Sequence, residues 1–208
     1  MAKLPGGVNG PISGTAGPVT LYTVEGKVYM RGAIKPRSKD SWSNKQVSYR
    51  KRVSQVGQLW KSLANNPARD CWRASSKPNP GFSLFLKTNL PAFSEDGSHM
   101  DLEWFHMSTG KLPLPHLLKA SPSAADPSTW EISWQNDSGK GGARSDDALM
   151  VMVAQDNEFS HPIATGFIRK QQNAAVKLPE LPIGAKGIYV SFRSKDEKSQ
   201  SIDQFFKA

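Results

Sequence analysis

The residues in this sequence that could carry chemistry are four histidines, one cysteine and a cluster of basic side chains. No histidine stands in an H-x-x-x-H or H-E-x-x-H pattern, and Cys71 has no second cysteine and no nearby histidine. Structural zinc sites need several such ligands at short spacing. Cys71 beside Trp72 is more typical of a small packed residue than of a nucleophile, although a distant histidine partner would leave no local pattern.

Four short patterns resemble catalytic or ligand-binding motifs only superficially. The S-x-x-K spacing occurs at Ser48–Lys51 and at Ser108–Lys111, but the other motifs of penicillin-binding enzymes are absent. Residues 139–144, GKGGAR, lack the spacing of a phosphate loop, and the acidic pair within residues 145–147, SDD, is too small for a calcium loop. The sequence therefore predicts no catalytic residue, no metal ligand, no cofactor and no enzyme, while a hydrolase whose carboxylates leave no signature stays open.

The basic cluster belongs to a predicted amphipathic helix that begins near Ser43 and ends before Pro67. Apolar residues recur in it at spacings of three and four, which predicts a buried stripe at Tyr49, Val53, Val56, Trp60 and Leu63. The charged side chains fall mainly off this stripe, and the candidate polyanion-binding residues are Lys45, Arg50, Lys51 and Arg52. Such cations can neutralise phosphates without reading sequence, or can face solvent or an acidic protein surface.

The charge of the chain is distributed unevenly. Residues 1–77 contain 14 Lys and Arg against three Asp and Glu, a net charge of +11, whereas residues 78–208 carry −2. This asymmetry indicates either an anionic partner for the first part or attraction between copies. Nothing between Met1 and Pro18 resembles a signal peptide, and no apolar run is long enough to span a bilayer, so we expect synthesis in the cytoplasm and leave the final compartment open, a larger particle included.

Glycine and proline dominate residues 1–17, which predicts an arm without a core of its own. The arm precedes residues 19–34, where β-branched and aromatic residues surround Glu25-Gly26 and predict a β-hairpin. An arm and a hairpin this small are expected to dock on something else. The candidate assembly residues are Gly10, Gly14, Gly17, Tyr22, Gly26, Tyr29 and Arg31.

The remainder of the chain predicts a mainly β protein of the α+β kind. A helical turn or two at residues 67–75 and a short helix at 80–93 precede a run of short segments rich in β-branched and aromatic residues. The predicted strands are 100–107, 129–135, 148–154, 163–170, 176–178, 187–193 and 201–206. Their spacing and alternation predict an antiparallel β-sandwich similar to immunoglobulin or fibronectin type III modules. We expect two parts: a glycine-rich arm, β-hairpin and basic helical region at residues 1–97, and a β-sandwich domain at residues 98–208.

The segments GTAGPVTLYTVEGKVYMR, SNKQVSYRKR, GFSLFLKTN, SDDALMVMV and IYVSFRS occur in an order that resembles a family of uncharacterised proteins of about 200 residues found largely in Bacteroidota. The positions that carry the resemblance are Gly14, Gly17, Gly26, Arg31, Gln46, Arg50, Asn89, Trp134 and Asp147. Pro18 departs from the polar residue expected after the glycine. The resemblance covers nearly the whole chain and implies an architecture, a glycine-rich arm followed by a sandwich, but no activity.

Together these features favour a non-enzymatic structural or assembly protein whose arm and hairpin dock on another copy or on a protein partner. The resulting oligomer could be a ring, a filament or a virion component. A sequence-independent nucleic-acid-binding protein that uses the basic helix is the alternative, and an enzyme without a recognisable motif is a third.

Overall fold

The computed structural model describes residues 13–34, 42–75, 81–126, 128–155, 158–178 and 185–208. The chain forms two compact units, an N-terminal unit of residues 1–43 and a large unit of residues 44–208. Gly10 and most of the predicted arm lie outside the described residues.

The N-terminal unit contains a three-stranded antiparallel sheet. Strands β1 (Gly14–Ala16), β2 (Val19–Val24) and β3 (Lys27–Gly32) lie in that order, which confirms the predicted hairpin. Its turn, Glu25-Gly26, has positive φ angles at both positions, 50° and 77°. This is the type I′ geometry whose twist matches that of the flanking strands, and it favours glycine at the second position.

The large unit begins with three helices: α1 (Asn44–Ser62), α2 (Ala68–Ser75) and α3 (Gly81–Asn89). Short 3-10 turns follow α1 at Leu63–Asn65 and α3 at Leu90–Ala92. Asn66 begins the second helix by accepting a hydrogen bond from the backbone N–H of Ala68 at 3.0 Å. All three helical segments expected from the sequence are present.

The predicted stripe of α1 is buried only in its C-terminal half. Val56, Trp60 and Leu63 are buried, as expected, but Tyr49 is 50% exposed, so its assignment to the core is wrong. The reason is the length of the helix relative to its partners: the apolar side chains that cover it meet its last two turns. Trp60 contacts Phe85 of α3, for example, with ring centroids 5.0 Å apart.

Eight strands complete the large unit and form two antiparallel sheets. They are β4 (Lys119–Pro122), β5 (Thr129–Ser133), β6 (Ala148–Gln155), β7 (Glu158–Phe159), β8 (Ile163–Ile168), β9 (Asn173–Lys177), β10 (Gly187–Arg193) and β11 (Gln204–Lys207). One sheet has the order β11-β10-β6-β7, with β8 also paired to β6, and the other has the order β4-β5-β9. The protein is thus mainly β with helices, as its sequence predicts.

The five-stranded sheet is buried on both faces. Val151 and Ile188 on one face belong to the core that also holds Trp130 of the three-stranded sheet. Met152 and Tyr189 on the other face belong to the core that holds the helices. Six of the eight residues of β6 are buried, which explains its nearly continuous apolar sequence. The two packed sheets are sandwich-like, and an immunoglobulin or fibronectin type III topology stays a prediction.

The helices and the sheets therefore belong to one compact unit. A division after residue 97 was expected from the change in sequence character, whereas the compact units divide after Ser43. The shared core accounts for this, because buried residues of α1, α2 and α3 belong to one cluster with Met152, Ala154 and Tyr189 of the five-stranded sheet.

The strand predicted at residues 100–107 does not form, and this prediction is wrong. Side chains satisfy the backbone there in place of a ladder. Asn89 accepts a hydrogen bond from the N–H of His106 at 2.7 Å and donates one to its carbonyl at 3.0 Å. Asp203 accepts hydrogen bonds from the N–H groups of Met107 and Ser108. Paired backbone groups do not need a neighbouring strand, so the segment is irregular, with one turn at residues 102–104.

Candidate interaction surfaces

The sheet of the N-terminal unit has two different faces, and none of the residues described in it is buried. The first, the aliphatic face, consists of Val19, Leu21, Val28 and Met30 on neighbouring strands. The second, the tyrosine face, consists of Tyr22, Tyr29, Lys27 and Arg31 with Thr20 and Val24. This division follows from the alternation of side chains along a strand and from the pairing of Tyr22 with Tyr29.

The tyrosine face is ordered by aromatic and cationic contacts. The rings of Tyr22 and Tyr29 stack with centroids 5.7 Å apart and an interplanar angle of 21°. The guanidinium carbon of Arg31 lies 5.4 Å from the centroid of the Tyr22 ring, within reach of a cation–π interaction. Three predicted assembly residues therefore form one contiguous cluster.

The predicted glycines of this region serve the turns. Gly17, with φ of 57°, and Gly26, with φ of 77°, occupy the two tight turns of the sheet, and Gly14 begins β1. A side chain at either turn would strain the backbone, so these two glycines maintain the sheet and do not themselves form a binding surface.

Three of the four candidate polyanion-binding residues of α1 line one groove. Lys45, Lys51 and Arg52 line one groove of about 660 Å³, while Arg50 lies outside that lining. Lys45, Arg50 and Lys51 are exposed, and Arg52 is half-buried. Tyr49 also lines the groove, so an aromatic ring is present beside the cations.

Carboxylates share this groove with the cations. Glu95 and Asp96 line it together with the basic side chains, and the hydroxyl of Ser48 on α1 donates a hydrogen bond to the Glu95 carbonyl. Hydrogen bonds from the side chains of Ser94 and Ser98 and from the N–H of Ser98 lower the pKa of Asp96 well below its usual value. The carboxylate is therefore ionised at neutral pH and weakens the attraction of the groove for phosphate.

The acidic loop at Ser94–Trp104 was not identified from the sequence. It contains Glu95, Asp96, Asp101 and Glu103, all exposed, and its Trp104 is 67% exposed. The signal was present, because no lysine or arginine occurs between Lys87 and Lys111 in an otherwise basic chain. The net charge was summed over long segments, and such sums do not show this local group of four carboxylates.

The large unit also contains a buried ionic cluster that the sequence did not reveal. The Arg169 guanidinium donates to Asp137 at 2.6 Å and to Asp147 at 3.1 Å, and its third nitrogen donates to the carbonyl of Pro113. All three charged side chains are buried, and the Trp134 indole donates to the carbonyl of Arg169. The cluster ties the loop before β6 to the end of β8, which is a structural role.

A second polar cluster joins β11 to the segment before Lys111. His106 Nδ1 lies 2.9 Å from Asp203 Oδ1, while the other oxygen of Asp203 accepts two backbone hydrogen bonds. Burial raises the pKa of Asp203, and the hydrogen bond from His106 opposes this shift. The Asp203 carboxylate therefore has three hydrogen-bond partners, the His106 ring and the N–H groups of Met107 and Ser108. The role of this arrangement is to hold the backbone of that segment in place.

Cys71 lies in an environment that suppresses thiolate chemistry. Burial raises its pKa to about 12, and its Sγ donates to the carbonyl of Ala68 at 2.9 Å. A protonated thiol is a poor nucleophile and a poor metal ligand at neutral pH. In the described part of the chain, no group of three or more His, Cys, Asp and Glu residues could hold a metal ion.

No helix among the described residues is long and apolar enough to cross a membrane. Comparison of the chain with family models, with curated proteins and with solved structures found no match to any of them.

Proposed function

We propose that this chain is a non-enzymatic assembly protein whose N-terminal arm and sheet dock on another subunit or on a protein partner. The observation that carries the proposal is that the sheet of the N-terminal unit buries none of its described side chains. A sheet of three short strands needs a covered hydrophobic face to be independently stable, so a partner is the natural source of that cover.

The exposed side chains of the sheet are of the kind found at interfaces. Val24, Val28, Tyr29 and Met30 are between 45% and 71% exposed, and Ile34 after β3 is 75% exposed. Val24 and Tyr29 belong to the tyrosine face, and Val28 and Met30 belong to the aliphatic face, so both faces of the sheet expose large apolar side chains. Contiguous exposed apolar surface of this kind marks an interaction site.

The edge of the sheet offers a second mode of docking. Strand β3 pairs only with β2 among the described strands, and all six of its residues are exposed. Its outer edge therefore presents backbone donors and acceptors that an added strand can use. Self-association through such surfaces gives an oligomer, a filament or a virion component, depending on whether the contacts close.

Light scattering of the full chain tests the proposal. A mass that is a defined multiple of 22.8 kDa is expected, free of material absorbing at 260 nm. Deleting residues 1–17, which removes β1, should weaken the oligomer, and deleting 1–34 should leave a folded monomer because the large unit has its own two cores. A full-length monomer, or an oligomer unchanged by the longer deletion, would contradict the proposal.

The alternative is a nucleic-acid-binding protein, and the exposure of Lys45, Arg50 and Lys51 on α1 favours it. Replacing Arg50, Lys51 and Arg52 together by Glu should then abolish binding to single-stranded or double-stranded DNA at low salt. The carboxylates of Glu95 and Asp96 in the same groove are the reason that we place this function second.

The resemblance to the Bacteroidota family leaves the choice between these two functions open. It supports the glycine-rich arm and the sandwich and carries no activity with it, so membership of that family is part of the proposal.

A further inference from the structure

A groove beside the acidic loop provides a receiving surface on the large unit. It has a volume of about 520 Å³ and runs between loop residues 98–103 and strand β11. Met100, Leu102 and Phe205 give it an apolar floor. Asp101 and Glu103 line it on the loop side, and Lys186 and Lys207 line it on the strand side.

The acidic side of this groove is held in place by the fold. The N–H of Asp101 donates to the carbonyl of Ala92 at 2.8 Å, and the Asp101 side chain accepts a hydrogen bond from the N–H of Glu103 at 2.9 Å. The hydroxyl of Tyr189 donates to the carbonyl of Leu102 at 2.8 Å. Because the loop is fixed before a partner arrives, little conformational entropy is lost when the groove is filled.

The charge of the loop is the opposite of that of the N-terminal unit. Residues 94–104 contain four carboxylates and no lysine or arginine. Residues 1–43 contain six Lys and Arg against two Asp and Glu, a net charge of +4. Complementary charge favours encounter between these two surfaces and disfavours contact between two copies of the same surface.

We propose that the groove of one copy receives the tyrosine face of the N-terminal sheet of a second copy. Tyr22 and Tyr29 supply rigid aromatic surface for the apolar floor, which is the role of tyrosine at many interfaces. Lys27 and Arg31 project from the same face and pair with the loop carboxylates. This inference rests on the proposed function and names the surface on which the sheet docks.

The hairpin turn gives the contact a direction. Glu25 is the only carboxylate among the described residues of the N-terminal unit, and it lies at the turn next to Lys27. Lys186 and Lys207 on the strand side of the groove are cations with which the Glu25 carboxylate can pair. Since the sheet of each copy occupies the groove of another copy, the contact joins two different surfaces. It produces a ring, a filament or a reciprocal dimer in which two copies exchange their sheets.

Reciprocal charge reversal tests this contact in the full-length protein. The sheet variant is Lys27→Glu/Arg31→Glu, and the groove variant is Glu103→Lys, which leaves the loop hydrogen bond to the Asp101 side chain in place. Both variants change only exposed side chains. Each variant alone should raise the concentration for half-assembly at least about tenfold by light scattering at low salt. Mixing the two variants should restore assembly. The altered sheet of the sheet variant can then bind the altered groove of the groove variant, and the native sheet of the groove variant can bind the native groove of the sheet variant.

A matched control reverses charge elsewhere on the large unit. Glu131→Lys/Glu197→Lys changes two exposed carboxylates that lie outside the groove, and its assembly should equal that of the natural chain. Thermal melts of every variant should agree, which separates loss of contact from loss of fold.

The outcomes distinguish this inference from the function on which it rests. If deletion of residues 1–34 gives monomers but the groove variant assembles normally, the sheet docks elsewhere and only the inference is overturned. Failure of the mixture to assemble, when each variant alone is dissociated, overturns it as well. If the deletion does not change the oligomer, the proposed function itself fails.

Discussion

Two antiparallel sheets of this protein differ completely in how they are covered. The five-stranded sheet lies between helices on one face and a second sheet on the other, and six of the eight residues of β6 are buried. The sheet of the N-terminal unit is well paired along its hairpin but buries none of its described residues. Both sheets therefore have paired backbones, but only the five-stranded sheet buries hydrophobic side chains.

This difference indicates where the stability of the chain resides. Apolar burial is the dominant favourable term in folding, so the five-stranded sheet can persist without help. A sheet without burial gains little beyond its turns and cross-strand pairs, and it is suited to contribute its apolar surface to a partner.

Arg169 provides the most severe test of the covered sheets. Arg169→Met would leave the buried carboxylates of Asp137 and Asp147 without their cation, and we expect a loss of about 3–5 kcal/mol in the free energy of unfolding. Denaturant unfolding followed by tryptophan fluorescence measures it. Asp137→Asn/Asp147→Asn/Arg169→Met should recover part of the loss. If it does not, the cost comes from packing, since the guanidinium also lies 4.6 Å from the Phe192 ring centroid.

Replacing one methionine in each sheet by alanine compares the stability that the two sheets gain from burial. Met152 on β6 is buried, whereas Met30 on β3 is 71% exposed. Met152→Ala should lower the free energy of unfolding by about 2–5 kcal/mol, because it removes buried methylene groups and leaves a cavity. Met30→Ala should change that of the dissociated chain by less than about 0.5 kcal/mol. Equal losses at the two positions would show that the N-terminal sheet is covered within a single chain.

The turn of the hairpin tests how much of the N-terminal sheet depends on local geometry. Gly26→Ala forces a Cβ into the left-handed region and should destabilise the hairpin by about 1–2 kcal/mol. Hydrogen exchange of the β2 and β3 amides should accelerate about tenfold, while amides of β6 and β10 stay unchanged. Gly32→Ala is the matched control, because it lies in open space on the same sheet without a positive φ. Acceleration by both substitutions would argue against the turn as the cause.

The smallest expected effect is on the loss of stability of the protein at acid pH. The pKa of Asp96 is lowered in the folded protein, so its contribution to stability is present above its unfolded-state pKa of about 4 and is lost as the pH falls through the folded pKa. Asp96→Asn should therefore reduce the loss of thermal stability between neutral pH and pH 3. A variant that loses as much stability in acid as the natural chain would show that other carboxylates, such as Asp126 or Asp196, dominate.

Local patterns in the sequence were sufficient for the hairpin, the three helices and most strands. The Glu25-Gly26 turn and the alternation in β5 and β10 depend on neighbouring residues alone, which is why they could be predicted. The failures depend on distant partners. Residues 100–107 alternate like a strand, yet Asn89 and Asp203 bind their backbone groups from 17 or more positions away in the chain. Tyr49 follows the helical stripe, but no core element reaches it.

The candidate sites show the same limit. Tyr22, Tyr29 and Arg31 were selected from a local hairpin pattern, and they do form one cluster. The basic cluster was also visible, but its association with Glu95 and Asp96 depends on a loop more than 40 residues away. The pairing of Arg169 with Asp137 and Asp147 joins three distant positions, so no spacing rule could have found it.

The two cations of β3 have a further consequence for the unassembled protein. Open strand edges are where chains join into aggregated fibres, and charged side chains at an edge oppose this. In a symmetric antiparallel pairing of two β3 strands centred on Tyr29, Lys27 of each copy would lie opposite Arg31 of the other, and like charges placed so are repelled. Lys27 and Arg31 therefore oppose the growth of fibres through pairing of two β3 edges in this register, while an added strand of a different sequence can still pair there.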